Sequence, residues 1–280
     1  MTAPIRKINL VRIAHINYTY QNLERAEAFF RDFGFVEASR VYYRGYGPEP
    51  FSKEDLLYAS KTLPGASAPY ELSKAPGGGR CVTFEGGVDK FPFHLVYGQV
   101  MREKATGFPE REFNFVQTYL SMGPAPVHKL GHFGARVTDF QQTYDFFTTR
   151  FNFIPSDLVH DETGRNVTVF LRLDRGDDLV DHHSFFFFFE GPKCHVHHAS
   201  FETHDSDLQF LGHDWLRERG YENCWGVGEA CYGEFDPSKF IFEHYVDGDQ
   251  MNSSHPPNHS KASPDSLHIW GPDLPEGFLL

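Results

Sequence analysis

Histidine is the residue that invites a chemical reading: the chain has 16, and they cluster in its second half. Three candidate metal ligands fall within strand-like apolar stretches there, His132 in KLGHFGARV, His198 in HVHHASFET and Glu243 in FIFEHYV. Two neutral imidazoles and one carboxylate on a single face hold a divalent metal such as iron(II) and leave its opposite face open to other ligands. A lone strand histidine is usually a hydrogen-bonded surface or core residue. These three stand out because His132 and Glu243 occupy positions that recur in an internal repeat. Side chains alternate along a strand, so one member of each adjacent pair is expected to face a cavity. The pairs are His197 and His198, His182 and His183, and Glu243 and His244. Periodicity alone leaves open which member faces in.

The elements that must position these residues emerge from self-similarity. Residues 12–35, RIAHINYTYQNLERAEAFFRDFGF, align with 129–153, KLGHFGARVTDFQQTYDFFTTRFNF, setting His15 on His132. Both predict a strand running into an amphipathic helix. The first helix carries an apolar stripe of Leu23, Ala26, Phe30 and Phe33, and the second one of Phe140, Tyr144, Phe147 and Phe151. Asn22 and Thr138 or Asp139 are the expected N-caps. At the other end DKFPFHLVYGQ (89–99) aligns with SKFIFEHYVDGD (238–249), setting His94 against Glu243. His15 and His94 are 79 residues apart whereas His132 and Glu243 are 111 apart, so the first copy is 32 residues short. The shortfall falls before a helix expected at 52–62, and the amino-terminal half is expected to lack strands. The second copy holds a further strand-then-helix unit, HVHHASFET followed by DSDLQFLGHDWLRERG. Asp205 would cap that helix, Leu208, Leu211 and Trp215 would form its buried stripe, and Gly220 would end it. Strands are expected near 166–173 and 183–190, with alternate rings of Phe185 to Phe189 facing inward. After Gly248 a polar tail rich in Pro and Ser runs on.

Composition bounds the rest. A length of 280 residues suits one large domain or two ordinary ones at roughly 100–200 residues each. With 40% apolar residues there is enough to bury a core, and 29 Phe point to aromatic packing or an aromatic-lined pocket. A formal charge of −12 argues against nucleic acid and anionic membranes as partners, because both require clustered cations. No apolar run approaches a membrane span, and no secretory signal is apparent. Cys81, Cys194, Cys224 and Cys231 show no paired spacing, which predicts free thiols and a cytoplasmic setting.

With these motifs in place, the chain resembles the vicinal oxygen chelate superfamily, and within it the type I extradiol (catechol 2,3-dioxygenase-like) ring-cleavage enzymes. HKLGHFGARVTD (128–139), HVHHASFETHDSDL (195–208), GHDWLRERGYENCWGVG (212–228), FIFEHYVDGD (240–249) and LHIWGPDLP (267–275) carry the likeness. The resemblance implies an α+β fold of tandem βαβββ modules, with the first of two domains contracted. It divides the chain into a non-metal-binding domain at 1–110, a metal-binding catalytic domain at 125–250 and an extended tail at 251–280. Position by position it implies Fe(2+) held by His132, His198 and Glu243, with His183 as the acid/base catalyst. A catechol-like substrate and O2, aromatic catabolism and a homo-oligomer complete the expectation. Two departures bear on activity. Glu229 and Ala230 stand where relatives have Arg-His, and EACYGEFDP (229–237) is shorter than in the family, with Tyr232 an approximate match to a usual tyrosine. A metal- or ligand-binding paralogue without turnover is the rival reading, followed by a glyoxalase-like isomerase or lyase.

Overall fold

The computed structural model describes residues 5–39, 42–44, 52–100, 123–189, 193–226, 231–246, 248–263, 266–267 and 273. In the first half, Asn22 accepts from the Arg25 amide and opens α1 (Leu23–Phe33), which Gly34 ends at φ 112. A short hairpin of β1 (Val36–Ser39) and β2 (Tyr42–Arg44) follows, then α2 (Lys53–Thr62), capped by Ser52. β3 (Tyr70–Glu71), β4 (Arg80–Gly86) and β5 (Phe91–Tyr97) form a three-stranded antiparallel sheet. The strand expected ahead of α1 does not form. Residues 9–20 belong to no ladder, and Ile8 instead bridges to Phe151. The Asn152 amide grips Leu10 from both sides, at 2.7 and 2.9 Å. In a copy 32 residues short, the missing segment would have supplied neighbouring strands, and an extended segment without them lies against whatever surface satisfies its backbone.

The second half is built from β6 (Val127–Val137), α3 (Phe140–Arg150), β7 (Phe153–His160), β8 (Asn166–Leu173), β9 (Val180–Asp181) and β10 (Phe185–Phe189). It continues with β11 (His195–Thr203), α4 (Ser206–Glu218), β12 (Glu222–Trp225), β13 (Cys231–Phe235) and β14 (Ile241–Tyr245). β15 (Gln250–Met251) and β16 (Asn258–Lys261) come from the tail. The large sheet has the order β12-β13-β14-β11-β6-β10-β8-β7-β16. From the central antiparallel pair β11–β6 it reads alike in both directions: a parallel neighbour, then two antiparallel ones. β6-α3-β7-β8-β10 and β11-α4-β12-β13-β14 are therefore two βαβββ units back to back. The expected α+β class and tandem modules are both present.

Helix caps at Asp139 and Asp205 fall as expected. Two buried stripes differ from the pattern. Leu23 is 52% exposed, and Phe29 takes its place in the core. On α4 the buried face is Gln209, Gly212 and Leu216, about one residue from the expected stripe. Gln209 drives that rotation, since its amide donates to the His244 carbonyl at 2.8 Å. One apolar cluster gathers Leu56, Val82 and Phe84 of the first half with Phe147, Phe151, Phe185 and Phe187. The other packs α1 through Phe29, Phe30 and Phe33 on Phe201 and Phe242. Both lie on the helix-facing side of the large sheet and leave its other side to the polar residues described next. Among the described residues no helix is long and apolar enough to cross a membrane. Cys81, Cys194 and Cys224 are free.

Candidate metal centre

Strand register brings the predicted ligands together. On β14, β11 and β6, Glu243, Ser200 and His132 pair in one row, and two residues along, on the same face, Ile241, His198 and Gly134 do the same. The donor atoms of His132, His198 and Glu243 all lie within 4.8 Å of one another, and all three residues are buried. Glu243 Oε2 is 3.5 Å from His132 Nε2 and 3.9 Å from His198 Nε2. Donors bound at about 2.1 Å to one ion sit about 3–4 Å apart, so the spacing suits a single metal. Burial pushes the His132 and His198 imidazoles down to about 3, so both are neutral with lone pairs to donate at ordinary pH. The buried Ser200 hydroxyl lies between Glu243 and His132 with no hydrogen-bond partner among the described residues. A neutral two-imidazole, one-carboxylate set beside an orphaned hydroxyl fits a divalent cation.

The structure resolves each adjacent pair. Glu243 faces the centre, whereas His244 points the other way, donating through Nε2 to the Phe33 carbonyl at 2.7 Å and stacking on the Phe33 ring. The expectation that His197 and His198 face opposite sides fails. A register shift between Val196 and His198 makes His197 an extra residue, and such a bulge breaks the alternation. The two Nδ1 atoms come within 2.7 Å, which turns His198 Nε2 toward Glu243. A second shift places Gly131 as the extra residue on β6. His182 binds Asp157 Oδ2 at 2.7 Å, while the His183 ring packs 4.1 Å from the ring of His132. Burial holds the His183 imidazole well below its ordinary range, and His132 adds to the effect. Phe186 lies 5.6 Å from His198 and Phe170 lies 5.0 Å from His183, while Phe185 and Phe187 join the core. The alternation expected along the phenylalanine run is thus observed.

His15 and His94 remain apart from this group. Their rings stack on each other at 6.3 Å, and His94 Nδ1 meets Thr83 Oγ1 at 2.9 Å. Residues that the sequence reading missed form the next row on the same face, where Tyr245 pairs with Glu202 and Glu202 with Lys129. Lys129 Nζ sits 2.7 Å from both Asp181 and Glu202, and the Tyr245 hydroxyl donates to Glu202. Burial acts to raise the Glu202 carboxyl, but hydrogen bonds from His128 and Lys129 outweigh it and hold it at about 2. Counting two residues on from Glu243 or four on from His198 would have found Tyr245 and Glu202. Glu229 and Ala230, and most of LHIWGPDLP, lie outside the described residues.

No protein-family model matches the chain. Metapyrocatechase 2 of Cupriavidus necator is 25% identical over 226 residues, which is 78% of this chain and 57% of that protein. The chain thus spans little more than half of the curated relative it matches. Homoprotocatechuate 2,3-dioxygenase of Brevibacterium fuscum, in an anaerobic complex with 3,4-dihydroxyphenylacetate, superposes with a TM-score of 0.73 at 16% identity, covering 100% of this chain and 94% of that one. The Mn(II)-bound glyoxalase of Novosphingobium aromaticivorans follows at 0.70 and 19%, covering 98% and 92%. The chain has the fold of these two solved structures, as the motifs implied, and metapyrocatechase 2 is among the proteins that it is similar to.

Proposed function

We propose, from a chain with the vicinal oxygen chelate fold and dioxygenase relatives, that this protein is an iron(II)-dependent extradiol dioxygenase. It would open a catecholic ring beside the diol and insert both atoms of O2. The observation that carries this reading is the convergence of His132, His198 and Glu243 from three strands onto one buried point. In this reading residues 125–250 are the catalytic unit, 1–110 a domain that binds no metal, and 251–280 the tail.

Iron(II), when bound, would supply a redox-active centre with open positions for a diol and for O2. The chain supplies the rest. Two neutral imidazoles and one carboxylate leave a net positive centre that suits an anionic diol. Phe170 and Phe186 set apolar rings beside His183 and His198. His183, neutral because it is buried, would take a proton from the substrate at Nε2 and return it later.

Anaerobic loading with iron(II), followed by aerobic addition of a catechol panel, should give oxygen uptake and a yellow ring-fission product. Replacing His132, His198 or Glu243 by Ala should each abolish iron retention, because two remaining ligands hold the ion weakly. His15→Ala and His94→Ala should leave it unchanged. Loss of iron on His15→Ala with retention on His132→Ala would place the site in the wrong half. Iron and catechol binding without oxygen uptake would point instead to a binding paralogue. Parallel loading with Mn(II) tests the metal, since a neighbour of this fold is described with that ion.

A further inference from the structure

We infer that Asp157 and His182 are positioning residues that fix His183 as the tautomer with its proton on Nδ1 and a bare Nε2. The inference deepens the proposed reading, because it explains how His183 would be ready to receive a proton. Three groups are joined in a chain: Asp157 Oδ2 is 2.7 Å from His182 Nε2, and His182 Nδ1 is 3.1 Å from His183 Nδ1.

A carboxylate accepts only, so His182 Nε2–H donates to Asp157. When His182 carries a single proton, on Nε2, its Nδ1 has a lone pair and accepts. His183 then donates from Nδ1, and its only remaining ring nitrogen, Nε2, is bare. That nitrogen belongs to the ring lying 4.1 Å from His132. Without Asp157, His182 could adopt either tautomer, and His183 would follow it.

The surroundings hold the relay rigid at every joint. Asn258 of β16 donates to the other oxygen of Asp157 at 2.7 Å, so both carboxylate oxygens are engaged. The His182 amide donates to the Asp249 carbonyl at 2.8 Å, and the Ser156 hydroxyl donates to the His182 carbonyl. Arg172 Nη1 in turn donates to Ser156 Oγ at 3.0 Å. The tail therefore supports His183 from outside the metal face, through Asn258 and Asp249. Partners one step removed from a functional imidazole typically change activity by about 10–100-fold when lost.

The test reads the tautomer directly, in protein loaded with diamagnetic Zn(II), at about pH 8.5 so that ordinary imidazoles are neutral. Long-range proton–nitrogen correlation spectra of histidine-labelled protein, with the His183 signals assigned by their loss in His183→Gln, should show a protonated Nδ1 and a bare Nε2. Asp157→Leu should mix the tautomers, whereas Asp157→Asn should preserve them, because its amide oxygen still accepts. With iron(II) and a turned-over catechol, Asp157→Leu should lower kcat about 10–100-fold with KM and iron content unchanged, and Asp157→Asn should restore most of it. A wild-type His183 with its proton on Nε2, or His183 signals unchanged in Asp157→Leu, would overturn the inference. Should Asp157→Leu fail to fold, the wild-type spectrum alone decides. A bare Nε2 in a wild-type protein that consumes no oxygen would sink the dioxygenase reading and leave the relay standing.

Discussion

At the scale of residues, two glycines shape the candidate centre as much as the ligands do. A Cβ on Gly134 would lie 2.3 Å from His198 Cε1 and 2.5 Å from its Nδ1, and one on Gly131 would lie 2.0 Å from the Tyr245 hydroxyl. Both belong to the GHFG stretch around His132, and their missing side chains are the space that the neighbouring rings occupy. Gly134→Ala should therefore leave the fold intact but swing the His198 ring away, lowering iron affinity by about 10–100-fold, the range seen when a ligand's supports are lost. Iron titration alongside far-ultraviolet circular dichroism checks this, and unchanged affinity would refute it. The ligand types, their strands and the repeat were legible because hydrophobic alternation and recurrence are sequence properties. Which histidine of 197 and 198 faces in was not. A bulge adds one residue to one strand without any compositional mark, and here it brings both rings to the same side.

Among elements, the tail shows what sequence reading misses. A run of Ser, Pro and Asn predicts an extended segment, yet residues 250–263 turn at 253–255 and build two short strands into the sheets. β16 pairs with β7 in parallel and β15 pairs with β9. Fully buried Arg172 on β8 bonds the Pro155 carbonyl, Ser156 Oγ and, across the gap, the His255 carbonyl. Such long-range pairings depend on an acceptor 83 residues away, which no local pattern encodes. Arg172→Ala should leave a cavity and unsatisfied carbonyls, costing on the order of 3 kcal/mol. Urea unfolding measures that cost, and limited proteolysis should show earlier cleavage within 250–263. Undiminished resistance there would mean that the ladder alone holds the tail. The strand expected before α1 was misread for the same reason: apolar alternation marks an extended segment, but a ladder needs partners that the contracted copy lacks.

For the molecule as a whole, the interior concentrates neutral imidazoles, and that makes the metal-free protein sensitive to acid. Burial pushes His132 and His198 down to about 3 and His244 to about 4, with His183 also well lowered. Unfolded histidines protonate near pH 6.5, so the unfolded chain binds more protons than the folded one below that value. A group whose folded pKa is depressed contributes stability that is fully present above the unfolded pKa and lost as pH falls toward the folded one. Each such histidine removes up to about 1.4 kcal/mol per pH unit over that window, against a total stability of about 5–15 kcal/mol. The unfolding midpoint of metal-free protein should thus drop steeply between about pH 7 and 5, and a bound divalent metal should raise it at the upper end of that range. His244 separates this proton linkage from metal binding, since it faces Phe33 and not the centre. His244→Asn keeps a donor toward the Phe33 carbonyl but no titrating ring. It should reduce the protons taken up on unfolding by about one at pH 5, read from the slope of unfolding free energy against pH. An unchanged slope would mean that His244 is protonated in the folded protein and that burial has not depressed it.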